Sequence, residues 1–167
     1  SILPNLEITC NFGYSDVRNY ETNAQPHTMY NPALALNSSS SSLNTSLVFR
    51  SSWIVEPQVK WALTAGKGKI DALVGGSFQS QKNNRLGQSG FGFSTNSLIY
   101  DLASASLKTI DISDETKYNY EAIFARLNYN WDGKYIANIT ARRDGSSRFG
   151  PGKQFANFGA IGAAWIF

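Results

Sequence analysis

The residues with the clearest capacity for binding chemistry form one short charged cluster, made up of Arg142, Arg143, Asp144 and Arg148. Arginine presents a planar fork of N–H donors that matches a carboxylate or a phosphate. One interpretation is that Asp144 pairs with one of these arginines and organises the glycine-rich loop around it. The other interpretation is that one or more of the four side chains contacts a bound substrate.

Two phenylalanines offer a second kind of contact. Phe91 and Phe93 lie among glycines in a stretch that lacks a regular pattern. The flat face of an aromatic ring can stack on the apolar surface of a sugar, so both residues are candidate substrate contacts. The competing interpretation is that they anchor their own loop to the rest of the protein.

Residue types that support catalysis or metal binding lack the required spacing. Cys10 is alone, and His27 has no nearby partner for a metal site. Asp111, Asp114 and Glu115 lack the spacing and the glycine of a calcium-binding loop, so we expect a solvated acidic loop there. We therefore predict that the chain is not an enzyme and that it uses no metal or cofactor.

The elements that position these residues are indicated by alternation of apolar and polar side chains. Residues 123–131 and 135–142 alternate with a period of two, which is typical of extended strands. Asp132-Gly133 separates the two runs and predicts a type I′ hairpin turn. The paired strands then carry small, aliphatic and aromatic residues on one face, and Asn, Thr and Arg on the other.

Similar runs elsewhere bring the expected number of strands to about six. The predicted strands lie near residues 3–15, 53–63, 70–78, 118–131, 135–142 and 157–167. Long connections are expected at 16–51, 81–117 and 143–154, and short turns at 66–69 and 132–133. The serine tract at 38–42 predicts a mobile first loop, and residues 98–105 predict a short helix in the second.

Composition and connection lengths favour a membrane wall over an ordinary soluble domain. Charged residues make up 16% of the chain, below the roughly 25% of a typical soluble domain. No apolar run reaches the roughly 18 residues of a membrane-spanning helix, so a membrane protein with this sequence has to be a barrel. Alternating long and short connections are typical of outer-membrane barrels, but six strands are fewer than the roughly eight of the smallest one.

We therefore predict an all-β fold, an antiparallel up-and-down meander of about six strands that is part of a larger transmembrane β-barrel. The net charge of +3 without a Lys/Arg stripe argues against a nucleic-acid partner. Two alternatives stay open. One is a soluble all-β binding domain whose apolar face meets a second sheet, and the other is a passive outer-membrane barrel with a structural role.

A set of short motifs carries a family resemblance. In chain order they are Ser52-Trp53, Glu56-Pro57-Gln58, Gly75-Gly76-Ser77-Phe78-Gln79, Ala125-Arg126-Leu127-Asn128-Tyr129, Asp132-Gly133-Lys134-Tyr135 and Arg142-Arg143-Asp144-Gly145-Ser146-Ser147-Arg148-Phe149-Gly150. Together they resemble the middle of the barrel in SusC/RagA-type TonB-dependent outer-membrane transporters. The resemblance is good over 51–167 and loose over 1–50.

The resemblance implies a barrel of about 22 strands with an N-terminal plug and a TonB-contacting segment. It implies a SusD-like surface lipoprotein that lids the barrel, in the outer membrane of a Gram-negative bacterium. It also implies import of oligosaccharides or peptides, powered by the inner-membrane proton gradient. We expect residues 1–167 to be a partial barrel that lacks the plug domain and the remaining strands, so contact with the TonB complex would lie outside them.

Overall fold

The computed structural model describes residues 5–150 and 152–167, and its architecture is all-β. Six strands follow one another in a single sheet in the order of the sequence. Their bounds are β1 Leu6–Gln25, β2 Ser42–Ala65, β3 Gly68–Phe91, β4 Leu107–Trp131, β5 Tyr135–Ser146 and β6 Phe155–Trp165. This arrangement confirms the predicted antiparallel up-and-down meander.

The chain divides into two compact units. The first unit contains the chain up to Ser15 together with Ser52–Gln81 and Lys117–Phe167, and the second contains Asp16–Ser51 and Lys82–Thr116. β1 to β4 each contribute residues to both units, whereas β5 and β6 belong to the first unit alone.

The strands are longer than the sequence pattern predicted. β1 continues to Gln25 and β2 begins at Ser42, so the first connection is 26–41, not 16–51. β3 and β4 likewise shorten the second connection to 92–106, and β5 extends to Ser146. Residues 3, 4 and 151 of the predicted first strand and third loop lie outside the described residues.

The short helix predicted at 98–105 is wrong. Two three-residue 3₁₀ turns, Asn96–Leu98 and Leu102–Ser104, occupy this connection, and Thr95 and Asp101 cap them through their side chains. Within the described residues, no helix is long and apolar enough to cross a membrane.

The predicted turn between β4 and β5 is present at Asp132-Gly133. Both residues have positive φ, 57° and 68°, as a type I′ turn requires. Trp131 accepts the N–H of Lys134 at 3.0 Å and pairs with Tyr135 across the two strands.

The β4–β5–β6 part of the first unit has two chemically different faces. Leu127, Ile139 and Ile161 lie in one row across the three strands, and Ile161 remains 82% exposed. The opposite face carries Asn128 opposite Asn138, and Arg126 opposite Thr140. The alternation predicted from the sequence therefore separates an apolar face from a polar face, as expected.

A small core holds the connections of the second unit. Leu43, Phe93, Ile99 and Ala105 are buried together, with Ala24 and Leu102 packed against them. One residue of the serine tract, Ser41, is also buried, at 1% exposed. Its hydroxyl donates to Asn96 Oδ1 at 2.9 Å and accepts from the backbone N–H of His27 at 2.9 Å.

Candidate functional site

The polar face of β4 and β5 carries an arginine held by three partners. Arg142 donates from Nε to Asp144 Oδ1 at 2.6 Å and from Nη2 to the Tyr120 hydroxyl at 2.6 Å. Its guanidinium lies 5.7 Å from the centre of the Phe124 ring. Asp144 therefore pairs with an arginine, as the first interpretation expects, and the pair displays a fixed cation beside aromatic side chains.

Arg143 lies on the opposite face of the sheet. It pairs with Ile123 on β4 and with Asn157 on β6, in the same alternation as Ile139 and Ile161. Its guanidinium stacks 4.7 Å from the centre of the Phe155 ring, a separation typical of a cation–π contact. Arg142 and Arg143, although adjacent in sequence, therefore lie on opposite faces of the sheet.

Arg148 follows β5 in the glycine-rich loop. Its guanidinium lies 4.3 Å from the centre of the Tyr118 ring. The loop is fixed to β4, because Asn119 accepts the N–H of Ser147 at 3.0 Å and donates its own N–H to the Ser147 hydroxyl at 2.9 Å. The structure therefore provides Arg148 with an aromatic platform and a tethered backbone.

The aromatic platforms were not anticipated from the sequence. Tyr118, Tyr120 and Phe124 stand at even positions of the alternating run that forms β4. They contact the arginines only because the turn sets the register that brings Phe124 opposite Arg142. The sequence feature that could have revealed these contacts is the alternation combined with the pairing of the two strands across Asp132-Gly133.

Phe91 and Phe93 have different environments. Phe93 is 1% exposed and belongs to the buried core of the second unit, whereas Phe91 is 42% exposed. This burial favours the anchoring interpretation for Phe93. Substrate contact stays a prediction, and Phe91 is the residue that has the accessible surface for it.

The three acidic residues suspected of forming a solvated loop lie instead in β4. Asp114 accepts from Arg85 Nε at 2.9 Å, Glu115 pairs with Lys82 at 3.0 Å, and Asp111 accepts from the Thr109 hydroxyl at 2.9 Å. The hydrogen bonds from Arg85 hold the pKa of the Asp114 carboxyl below its ordinary value. Within 5–150 and 152–167, no group of His, Cys, Asp and Glu side chains has the arrangement of a metal site.

The sequence is similar to curated bacterial receptors. Over 116 residues it is 30% identical to TonB-dependent receptor P26 of Formosa agariphila, covering 68% of this chain and 12% of that receptor. TonB-dependent receptor P3 of the same organism is 33% identical over 103 residues, which cover 60% of this chain and 10% of the receptor. The chain belongs to the TonB-dependent receptor family. It spans a small part of the length of the receptors that it matches, and no family model matches its sequence.

Solved structures of transporters contain the same fold as this receptor segment. The structure of the RagAB peptide transporter matches 98% of the segment and 18% of its own chain, with a TM-score of 0.81 and 20% identity. The RagAB peptide importer in its closed-closed state matches 96% of the segment with a TM-score of 0.80 and 21% identity. At these identities the similarity shows that the six-stranded meander is part of a larger barrel fold. The relatives are named as receptors and transporters, which agrees with the prediction that the receptor segment is not an enzyme.

Proposed function

We propose that this chain forms part of the wall of a TonB-dependent transporter in the outer membrane of a Gram-negative bacterium. The apolar face of β4–β6 contacts lipid, and the polar face lines the lumen. The observation that carries this proposal is the row Leu127, Ile139 and Ile161, which lies fully registered across three strands and remains exposed.

The cost of leaving that face in water supports a lipid environment. Burying apolar surface is worth about 25 cal/mol per Å², so a row of exposed aliphatic side chains favours contact with hydrocarbon. Trp131, Tyr135 and Trp165 stand beside the turn, and Tyr135 stacks on Trp165 with ring centres 6.4 Å apart. Aromatic side chains of this kind form the girdles at the two edges of outer-membrane barrels.

The transported substrate is an oligosaccharide or a peptide, and a SusD-like surface lipoprotein is the partner that covers the barrel. The receptor relatives and the solved RagAB peptide transporter support this class of function. Contact with the TonB complex, which supplies the energy, belongs to parts of the receptor outside these strands. Within the wall, Arg142 and Arg148 with their aromatic platforms provide the polar surface for the substrate.

Heat-modifiability in native membranes tests whether this chain is part of an outer-membrane barrel. An antibody raised against residues 118–167 is used on fractionated cells, with and without boiling before electrophoresis. A band in the outer-membrane fraction that changes mobility on boiling, and that is several times larger than this chain, supports the proposal. A small band in the soluble fraction contradicts it and favours the soluble all-β alternative.

Spin labels on adjacent residues of β5 test the assignment of the two faces. Ile139→Cys places a nitroxide on the apolar face and Thr140→Cys places one on the polar face, with Cys10→Ser removing the natural thiol. In the complete receptor in membranes, we expect the label at 139 to be relaxed mainly by oxygen and the label at 140 mainly by a water-soluble nickel complex. Equal accessibility to the nickel complex at the two positions would show that the apolar face is not in lipid.

A further inference from the structure

The apolar face of the first unit changes its chemistry at one row of residues. Along β5 this face carries Tyr135, Ala137, Ile139 and Ala141, and the next residue in the alternation is Arg143. The partners of Arg143 are Ile123 on β4 and Asn157 on β6. The apolar surface therefore ends at Arg143 on β5 and at Asn157 on β6.

The height of this surface corresponds to the thickness of the membrane core. At about 3.4 Å per residue, β5 covers about 27 Å between Tyr135 and Arg143. A strand tilt of about 40° reduces this length to about 21 Å along the membrane normal, close to the roughly 25 Å apolar band of outer-membrane barrels. If Tyr135 and Trp165 lie at one interface, Arg143 lies at the other.

A groove lies beside this row. It has a volume of about 590 Å³, and it is lined by Trp53, Phe78, Phe155, Lys117, Asn119 and Glu121 among others. Glu121 pairs with Gly145 and Gly145 pairs with Phe155, so these residues share the face of Arg143. Three aromatic rings and several polar groups thus meet where the apolar surface stops.

The charges around the groove favour an anion. Lys117 lies in its wall, and Arg143 stacks on Phe155, which is also part of the wall. Among the described residues, neither cation has a carboxylate within 4.0 Å, and Glu121 is the one acidic residue of the lining. Two cations against one carboxylate leave a net positive rim. The planar guanidinium of arginine can donate two parallel hydrogen bonds to a phosphate.

We propose that this groove binds the phosphate-bearing headgroup of an anionic lipid in the adjoining membrane leaflet. Arg143 and Lys117 contact the phosphate, and the rings of Trp53, Phe78 and Phe155 lie along the apolar part of the lipid. The proposal rests on the proposed function, because a lipid headgroup reaches Arg143 only if the apolar face is in the bilayer. It gives Arg143 a role outside the lumen, unlike Arg142.

The test compares lipid retention by the complete receptor and its variants. Receptor purified in mild detergent and incubated with vesicles of phosphatidylglycerol and phosphatidylcholine is examined by native mass spectrometry for bound lipid. Each cation near a membrane surface contributes an attraction that corresponds to about fivefold in binding. We expect Arg143→Gln and Lys117→Gln each to lower phosphatidylglycerol retention about fivefold, and the double variant to lower it further. The change for phosphatidylcholine should be smaller, because its choline cation offsets the charge of its phosphate.

Arg142→Gln is the matched control, because it removes the same charge from the next residue on the polar face. It should retain phosphatidylglycerol like the unmodified receptor. Equal loss in the Arg142 and Arg143 variants, or no loss in the Arg143 variant, overturns the proposal. Displacement of the lipid by millimolar inorganic phosphate also overturns it, in favour of a site for free phosphate.

The spin labels at 139 and 140 distinguish a failure of the lipid site from a failure of the proposed function. If the label at 139 is in lipid and Arg143→Gln retains lipid normally, the headgroup site is wrong and the membrane wall stands. If the label at 139 is in water, both the site and the proposed function are wrong.

Discussion

At the residue scale, one glycine explains why two nearby phenylalanines differ. Gly92 stands between Phe91 and Phe93 with a φ of 75°, a conformation that glycine adopts without steric cost. β3 ends at Phe91, and directly after Gly92 the ring of Phe93 lies in the buried core of the second unit. A strand continuing through these positions would have placed both rings on one face.

Phe93 is predicted to hold the two connections of the second unit together. Phe93→Ala removes a buried ring packed with Leu43 and Ile99 and should lower the local stability of 26–41 and 92–106 by about 3–5 kcal/mol. Hydrogen exchange of the backbone amides in these segments measures the change. Phe91→Ala is the control, with little effect expected because Phe91 is 42% exposed. Equal protection in the two variants would contradict the anchoring role.

Gly75 is predicted to provide the space for the aromatic platform of Arg142. A Cβ at this position would lie 2.7 Å from Phe124 Cζ, so Gly75→Ala must displace the ring. Overpacking of this kind costs about 1–3 kcal/mol, which a denaturant midpoint detects. Gly87→Ala on the same strand is the control, because its nearest contact is Ile112 at an ordinary 3.5 Å. A matching midpoint for both variants would show that Phe124 relaxes freely.

The charged cluster shows what proximity in sequence does and does not predict. Extending the alternation of β5 by one residue separates Arg142 from Arg143, so the division between faces was available from the sequence. The contacts of Arg142 with Tyr120 and Phe124 were not available, because they depend on the pairing between two strands. The alternation predicts on which face of the strand a residue lies, whereas the residue that it contacts on the next strand depends on the register between the two strands.

At the scale of the elements, the strands were recognised only where their two faces differ. The alternation is clear in 123–131, where one face is apolar. It is absent from Lys82-Asn83-Asn84-Arg85, which nevertheless lies within β3. A strand with polar groups on both faces has no period of two to detect, so the loops were predicted too long. The serine tract was assigned wholly to the first connection, but β2 begins at Ser42. The hydroxyl of the buried Ser41 donates to Asn96 and accepts from the backbone N–H of His27.

The hairpin turn depends on the conformation of Gly133. Its φ of 68° is strained for a residue with a Cβ, at a cost of roughly 1–2 kcal/mol. Gly133→Ala should therefore lower the stability of the folded receptor and slow the formation of its heat-resistant form. Gly150→Ala is the control, because its added Cβ meets no atom within 4 Å and its φ is not positive. Normal assembly of the Gly133 variant would mean that the register of β4 and β5 is fixed elsewhere.

At the scale of the whole molecule, the strand order leaves the two end strands of the sheet without a second partner among the described strands. β1 and β6 each have one neighbour among the described strands, and an unpaired strand edge favours pairing with further strands. The match to about a fifth of a much larger chain accounts for these edges. The number of strands in the sequence predicted that the sheet is only part of a barrel. That number stays the same even where the predicted bounds of single strands are wrong.

The two faces predict opposite responses to the same added charge. Ile139→Lys places an ammonium group in the row of Leu127 and Ile161, and a lysine facing lipid near the middle of a bilayer costs about 2–4 kcal/mol. Thr140→Lys places the same group on the polar face, where water in the lumen solvates it at little cost. The fraction of receptor that reaches the outer membrane in a heat-resistant form measures the difference, and we expect a marked loss for the variant at 139 alone. A soluble sheet with this face exposed would instead tolerate the charge at 139 or become more soluble, so full assembly of that variant would exclude a lipid-facing wall.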